Sequence, residues 1–305
     1  GTSTRQSSDA TSVISQLKEK AVNSEKSDEE IIQEANSKII GACNKVFASQ
    51  IIERLLGKSF NYKLQIYVAS VPETMGLFGW VSKIFSKNKK FVVLRFLPGA
   101  NEVIITLGLN SVFEESEDEI AGTIIHEFTH SYDWKMREEL KNKTLENFSK
   151  PHKILLNIRD ESVTTFAELV YNPSLKETEK VVGYLERLQK EPVEDFNELA
   201  EISDAFEKGG ERSPEYDLGL AIMVQLFLVF IGKENDDKNP EKIIEHLKTY
   251  QEKAITLLNL VKLMDCKKFF DYYSKRVSKP IFSREFLADI QKYAPEVKSK
   301  RWTFL

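Results

Sequence analysis

The feature that most constrains this chain is the short stretch from Thr123 to Trp134, TIIHEFTHSYDW. Residues four apart lie above one another on one face of an α-helix, so a helix here would place the imidazoles of His126 and His130 side by side. Two imidazoles at this spacing can bind one tetrahedral Zn²⁺ ion. Glu127, next to the first histidine, would reach a water on the metal without ligating the metal. The pattern HExxH therefore predicts a metal site suited to hydrolysis.

Histidine is rare in this chain, which makes an accidental match improbable: the sequence contains 4 histidines, and two of them fall in the motif. The alternative is a helix whose two histidines are ordinary core residues. Against it, Ile120, Ile124 and Phe128 form one apolar stripe, with both histidines about opposite on the helical wheel. A helix with the core on one side and a polar pair on the other predicts the wall of an active site.

Composition narrows the classes of protein. The 305 residues carry a net charge of −4, which gives no electrostatic footprint for nucleic acid. Cys43 and Cys266 lack CxxC spacing and predict two buried thiols rather than a disulfide. No stretch is long and apolar enough for a membrane span, so we expect a soluble protein without a transmembrane segment. A removed signal or lipid anchor stays an open alternative, and the compartment is unassigned.

The predicted fold class is α+β and mostly helical. Residues 1–12 are rich in Ser and Thr and are expected to be disordered, and residues 13–305 are expected to form a single catalytic domain. Within it, residues 13–135 form a sheet-containing lobe with the motif helix, and residues 136–305 form a helical lobe. In the helical lobe, periodicity and turn residues predict helices at 176–189, 193–206, 216–231, 241–264 and 284–293.

The small N-terminal sheet is predicted from three apolar or alternating runs, at 63–68, 91–97 and 102–107. Turn residues at 98–101 join the last two runs, which indicates a hairpin. Ser116 and Glu119 form a capping-box pair, so the motif helix should begin at Glu117.

The segment at 75–90 combines aromatic and basic residues. It could be a flap over a cleft or a segment that contacts a membrane. A covered loop or a short helix packed on the core is the commoner outcome for such a stretch. Membrane contact through 75–90 is therefore kept as an alternative and not favoured.

A catalytic zinc usually has three protein ligands and a water, so two histidines leave the site one ligand short. His152 and His246 are candidates, but each stands in polar company typical of a surface histidine. The stretch RDESVTTFAELV at 159–170 is the better source. It offers Asp160 and Glu161, which point about 100° apart on a helix.

This second stretch resembles the third-ligand helix of the gluzincin metallopeptidases, whose HExxH helix is followed by a helix of the pattern E-G-x-A-x-Y-x-E. Glu161, Thr164, Phe166 and Glu168 fall at the E, A, Y and final E positions, and Ser162 stands where Gly is usual. The resemblance implies a zincin-like fold with one zinc per chain. It also implies a glutamate, Glu161, as third ligand and Glu168 as a partner of a ligating histidine.

The similarity extends over about residues 100–232. The same gluzincin branch often continues with a tyrosine and a helix of small residues, which the stretch from Tyr216 to Gly232 resembles. The resemblance implies that Tyr216 donates a hydrogen bond to the oxyanion; the alternative is a boundary tyrosine that caps a core helix. The chain departs from the pattern at Thr165, where several gluzincins have an acid.

Together these residues predict a zinc metallopeptidase, a hydrolase that acts as an endopeptidase on a protein or peptide substrate. His126, His130 and Glu161 are the expected metal ligands, Glu127 is the general base and Tyr216 stabilises the oxyanion. The alternative is a non-catalytic interaction or scaffold protein on a zincin fold, with a structural metal or none. The intact Glu127 argues against that alternative, since a structural site has no use for a base.

Overall fold

A computed structural model of the chain describes residues 3–6, 27–56, 62–69, 89–96, 101–108, 112, 114–133, 135–136, 150–207 and 214–293. The chain divides into two compact units, residues 1–132 and residues 133–305. Most of the aromatic and basic segment at 75–90, namely residues 75–88, lies outside the described residues, so neither the covered loop nor its alternatives can be assigned there. Of the stretch expected to be disordered, Ser3–Gln6 forms a β-strand, and the rest lies outside them as well.

The first unit contains four strands and three helices in the described part of the chain. They are β1 (Ser3–Gln6), α1 (Asp28–Ser49), α2 (Ile51–Leu56), β2 (Tyr62–Ala69), β3 (Lys89–Phe96), β4 (Asn101–Gly108) and α3 (Glu117–Tyr132). Helix α1 begins with a capping box between Ser27 and Glu30, and it ends at Gln50, which has a left-handed φ of 54°. Helix α1 packs against α3, with Ile39 and Cys43 among its fully buried residues.

The strands pair differently from the predicted hairpin. Their order is β1-β3-β2-β4, so β2 lies between β3 and β4, and the prediction that the last two runs form a hairpin is wrong. Strand β2 pairs with β4 in parallel, and this register sets Ile66 opposite Ile105. Both isoleucines are fully buried. The gain from burying this cross-strand pair outweighs the local turn signal at 98–101.

The second unit is helical in all its described elements. They are α4 (Lys150–Tyr171), α5 (Leu175–Lys190), α6 (Phe196–Glu207), α7 (Pro214–Phe230), a 3₁₀ turn (Glu234–Asp236), α8 (Pro240–Thr249), α9 (Gln251–Val261), α10 (Cys266–Arg276) and α11 (Arg284–Tyr293). Helices α5, α6, α7 and α11 lie within a few residues of the predicted ones. The predicted helix at 241–264 is two helices that meet at Tyr250, and α10 was not predicted.

Helix α7 lies in the core of the second unit and packs against α4 and α5. Its residues are buried from Pro214 to Leu228 except for half-buried Tyr216. Gln225 on this helix is held by two bonds: its amide donates to the Lys279 carbonyl at 2.8 Å, and its carbonyl accepts from the Tyr273 hydroxyl. The same hydroxyl accepts from the Ile281 N–H at 2.9 Å. Burial raises the pKa of Tyr273 well above its usual range.

The predicted fold class has to be corrected. The expectation was an α+β, mostly helical zincin-like domain with a small N-terminal sheet. The structure is predominantly helical, which agrees with the helical part, but it does not support the α+β class, and no strand follows Gly108 among the described residues. The strands that are described include β1, which was expected to be disordered, and they lack the predicted hairpin. The helical periodicity of the second unit, which contains more than half of the chain, decides the class.

Two further expectations concern the core and the membrane. Neither Cys43 nor Cys266 forms a disulfide, and both are buried, as predicted; burial raises the pKa of Cys43 to about 12. Such a thiol stays protonated and unreactive near neutral pH. In the part of the chain that the structure describes, no helix combines the length and apolar character needed to cross a bilayer.

Candidate metal centre

The helix that carries the motif, α3, begins where the sequence predicts. Ser116 and Glu119 form the expected capping box: the Ser116 N–H donates to the Glu119 carboxylate at 3.0 Å, and the Glu119 N–H donates to the Ser116 hydroxyl at 3.2 Å. Three acidic residues in the first turn, Glu117, Asp118 and Glu119, complement the positive end of the helix dipole. Local interactions therefore fix where α3 begins. The helix that they start places His126 and His130 on one face.

Burial extends around more of α3 than the sequence suggests. The apolar stripe of Ile120, Ile124 and Phe128 is buried, as expected. The two histidines on the other side are only 5% and 4% exposed. Glu127 between them is 3% exposed. The helix is therefore covered on both faces, and its polar groups lie in a low-dielectric environment where a charge needs a partner.

The two imidazoles lie close together. The ring centroids of His126 and His130 are 5.0 Å apart, and the ring planes meet at 70°. One ligand atom from each histidine and a carboxylate oxygen of Glu161 all lie within 4.8 Å of one another. These three groups could hold a metal ion.

The donor set fits zinc in kind and nearly in spacing. With metal–ligand bonds of about 2.0–2.2 Å, tetrahedral geometry sets neighbouring ligand atoms about 3.4 Å apart. The ligand atoms of His126, His130 and Glu161 lie within 4.8 Å of one another, so their separations exceed this spacing by about 1.4 Å at most. Two imidazoles with one carboxylate are typical of zinc and other transition metals, whereas calcium and magnesium prefer oxygen ligands alone.

Glu161 lies on α4, the long helix that follows the motif. Its neighbour Ser162 is fully buried, and α7 approaches the α4 backbone closely at this point. A Cβ added to Gly219 on α7 would lie 2.8 Å from the Ile158 carbonyl oxygen and 3.0 Å from the Ser162 Cα. The lack of a side chain at Gly219 thus allows α7 to support the turn of α4 that presents Glu161.

A buried ion pair lies two residues before Glu161. Arg159 and Asp133 are both fully buried, and the guanidinium donates to the two carboxylate oxygens at 2.7 and 3.0 Å. The same guanidinium donates to the carbonyls of Val261 and Met264. Phe269 lies under it, with 5.7 Å between the guanidinium carbon and the ring centroid. Every side of the charge is therefore matched by an acceptor or an aromatic face.

The other residues considered as third ligand are not part of the cluster. The His152 ring packs on Phe196, with 4.9 Å between centroids, and His246 bonds the Asp236 carboxylate at 2.8 Å. Asp160, the acidic rival of Glu161, is half-buried and is not one of the three clustered groups.

Glu168 and Tyr216 were the two supporting residues predicted around the ligands. Glu168 lies on α4 and is half-buried; Tyr216 is half-buried in the first turn of α7. Their roles stay predictions.

Sequence reasoning missed the partners of these groups. Asp133 was not paired with Arg159 from the sequence. A signal was available, since Arg159 shares a helix face with the apolar residues Leu155 and Val163, and an arginine on an apolar face needs an acidic partner. The hydroxyl of Thr164, which contacts the Glu161 carboxylate at 3.2 Å, was also missed. Nothing in the sequence marks a helical threonine as bonding to a side chain rather than to its own backbone.

Comparison with known proteins gives no relative: the chain matches no family model, no curated protein and no solved structure.

Proposed function

We propose that this protein is a zinc-dependent metallopeptidase that cleaves internal peptide bonds, as its resemblance to the gluzincins implies. The observation that carries the proposal is the convergence of the ligand atoms of His126, His130 and Glu161 within 4.8 Å. The HExxH spacing predicted the two histidines as ligands, and the resemblance to the gluzincins implied Glu161. A buried glutamate, Glu127, stands directly beside the first of them in the chain.

The chemistry assigns a task to each group. A zinc ion bound here would act as a Lewis acid and would lower the pKa of a coordinated water towards ~7. His126, His130 and Glu161 would hold the ion, and their combined charge of −1 would leave the site with a net positive charge. The Glu127 carboxylate accepts the proton of the attacking water and then donates it to the leaving amine. Because Glu127 is buried, bulk water does not compete for that carboxylate.

Tyr216 is the proposed donor to the carbonyl oxygen on which negative charge develops. It lies one helical turn before Gly219, the point where α7 meets Ser162 beside Glu161. Three residues of an α-helix rise about 4.5 Å along the axis, so the backbone of Tyr216 lies within one helical turn of this contact. Its partial exposure suits a hydroxyl that must meet a substrate.

The test compares metal content and cleavage in five variants of the full chain. His126→Ala and Glu161→Gln should lose tight zinc binding, whereas His246→Ala and Asp160→Asn, the matched controls outside the cluster, should retain it. Glu127→Gln should retain zinc and lose cleavage of a denatured protein mixture, because it removes only the base. Metal content is measured by elemental analysis, and cleavage with and without chelator.

The outcomes separate the proposal from its alternative. Wild-type protein that stays free of zinc after Zn²⁺ addition would overturn the enzymatic assignment and favour a scaffold protein. Zinc loss in Asp160→Asn with retention in Glu161→Gln would reassign the third ligand. If cleavage is found, profiling the new N-termini made by wild type and Glu127→Gln in a cell lysate would give the sequence preference.

A further inference from the structure

The Thr164 side chain lies within bonding distance of two oxygens of one residue. Its hydroxyl is 3.0 Å from the Glu161 backbone carbonyl and 3.2 Å from the Glu161 carboxylate oxygen Oε2. Thr164 is fully buried, so water does not satisfy its hydroxyl. A hydroxyl has one hydrogen to donate, and the two oxygens compete for it.

The backbone carbonyl of Glu161 already has other donors. Thr165, the next residue, donates its hydroxyl to this carbonyl at 2.6 Å. The Thr165 N–H lies four residues after Glu161 and supplies the regular helical bond to the same oxygen. A carbonyl oxygen has two lone pairs, and these two donors occupy both. The Thr164 hydrogen is therefore best placed on the carboxylate, where the bond to a charged acceptor is also the stronger one.

We propose that Thr164 is a positioning residue that holds the Glu161 carboxylate in the orientation required to ligate a metal. With Oε2 accepting from Thr164, rotation of the carboxylate is restricted, and Glu161 is presented to the two histidines in one orientation. This inference rests on the metal site of the proposed function and adds a residue to it. The pattern of the gluzincin helix has alanine at this position, so that pattern does not imply the role.

A purely local role for the hydroxyl makes a different prediction. Buried helical threonines commonly donate to a carbonyl one turn back, as Thr129 does to Ile125 at 2.7 Å and Thr165 does to Glu161. If Thr164 did only this, its hydroxyl would affect helix stability and leave metal affinity unchanged. Thr165 is a matched control because it is buried, adjacent and bonded only to backbone carbonyls.

The experiment measures zinc affinity of the full chain by competition with a chromogenic chelator. Thr164→Val keeps the shape and removes the hydroxyl, and we expect affinity to fall about 10–100-fold, as for other groups that orient a ligand. Thr164→Ser restores the hydroxyl and should return affinity to within about threefold of wild type. Thr165→Val should bind zinc as wild type does. Metal-free melting temperatures of the two valine variants should be similar.

Each outcome decides between the possibilities. Wild-type affinity in Thr164→Val, an equal loss in Thr165→Val, or failure of Thr164→Ser to restore binding would overturn the role of Thr164. Wild-type protein that binds zinc but cleaves nothing would overturn the peptidase and leave the Thr164 role standing. Wild-type protein that binds no zinc would overturn both.

Discussion

Helices α4 and α7 pack against each other in the second unit, and both are largely buried, yet their buried surfaces differ. Helix α4 buries polar side chains along its middle: Arg159, Ser162, Thr164 and Thr165. Helix α7 buries an almost unbroken series of apolar residues from Leu218 to Leu228, with Gln225 as the exception. Burial and mutual packing are shared, so the difference that matters lies in what the buried polar groups do.

The polar groups of α4 each have a defined acceptor. Arg159 donates to Asp133, Ser162 donates to the Arg159 carbonyl at 2.7 Å, and the two threonines donate to atoms of Glu161. Burying such groups costs free energy unless every donor is matched, so their presence needs a reason beyond stability. At Thr164 the proposed reason is that its hydroxyl orients the Glu161 carboxylate, whereas the Thr165 hydroxyl bonds only to backbone carbonyls.

Gln225 on α7 has a different purpose. It joins Tyr273 and the Lys279 carbonyl, and the Tyr273 hydroxyl accepts the Ile281 N–H, so the network satisfies backbone groups in the segment between α10 and α11. No group in this network belongs to the metal cluster. The comparison teaches that buried polarity marks a candidate site only when its bonds lead to a reactive side chain.

The largest expected effect comes from breaking the ion pair of α4. Arg159→Met leaves the Asp133 carboxylate buried without its main partner, and we expect the free energy of unfolding to fall by about 3–5 kcal/mol. Lys262 offers a partial substitute: burial lowers its pKa, and the Asp133 charge opposes that shift. Urea denaturation monitored by circular dichroism measures the change.

The double variant Arg159→Met with Asp133→Leu is the control for that experiment. It removes both charges, so it should lose less stability than Arg159→Met alone. A double variant that is no more stable than the single one would show that the loss comes from packing around Phe269 and from the unmatched carbonyls of Val261 and Met264. The role of Arg159 on α4 would then be to pack against its neighbours and not to neutralise a buried charge.

The three clustered residues were easier to predict than the residues that position them. The first depend on local spacing and on a motif, whereas the second depend on contacts between distant parts of the chain. Spacing alone places His126 and His130 on one face of a helix. The resemblance to the gluzincins selected Glu161 over Asp160, and Glu161 is the one that lies in the cluster. The close approach of Gly219 on α7 to the backbone of Ile158 and Ser162 on α4 joins residues far apart in sequence, and no local pattern contains it.

The fold was predictable where local signals decide and not where distant pairing does. Periodicity and caps predicted α5, α7 and α11 to within a few residues. The strand order was missed because β2 pairs with β4 in parallel across a sequence gap, which turn chemistry at 98–101 does not reveal. The break between α8 and α9 at Tyr250 has no glycine or proline to mark it.

A smaller effect is expected at the contact between the two helices. Gly219→Ala places a methyl group 2.8 Å from the Ile158 carbonyl oxygen, and backbone atoms cannot rotate away. The helices must separate by a few tenths of an ångström, at a cost of about 1–3 kcal/mol of stability. Because Ser162 lies at the same contact, zinc affinity should fall as well. Thermal unfolding and chelator competition measure the two effects.

Gly183→Ala is the matched control for that helix contact. Gly183 lies on the exposed face of α5, and a Cβ there would meet nothing within 4 Å. The substitution should stabilise the protein by up to about 1 kcal/mol through helix propensity and leave zinc affinity unchanged. If both alanine variants behave alike, close approach of α7 to α4 is not what supports Glu161.

The smallest expected effect tests whether α7 contributes to the chemistry at all. Tyr216→Phe keeps the ring and its packing and removes only the hydroxyl. A hydroxyl that donates only in the transition state affects kcat and leaves substrate binding nearly unchanged. We therefore expect wild-type zinc content, a melting temperature within about 2 °C and a kcat at least about tenfold lower, equivalent to about 1.4 kcal/mol. Steady-state cleavage of a peptide substrate measures it. Unchanged kcat would make α7 a core helix throughout, and a sharp fall in melting temperature would assign the hydroxyl to the fold.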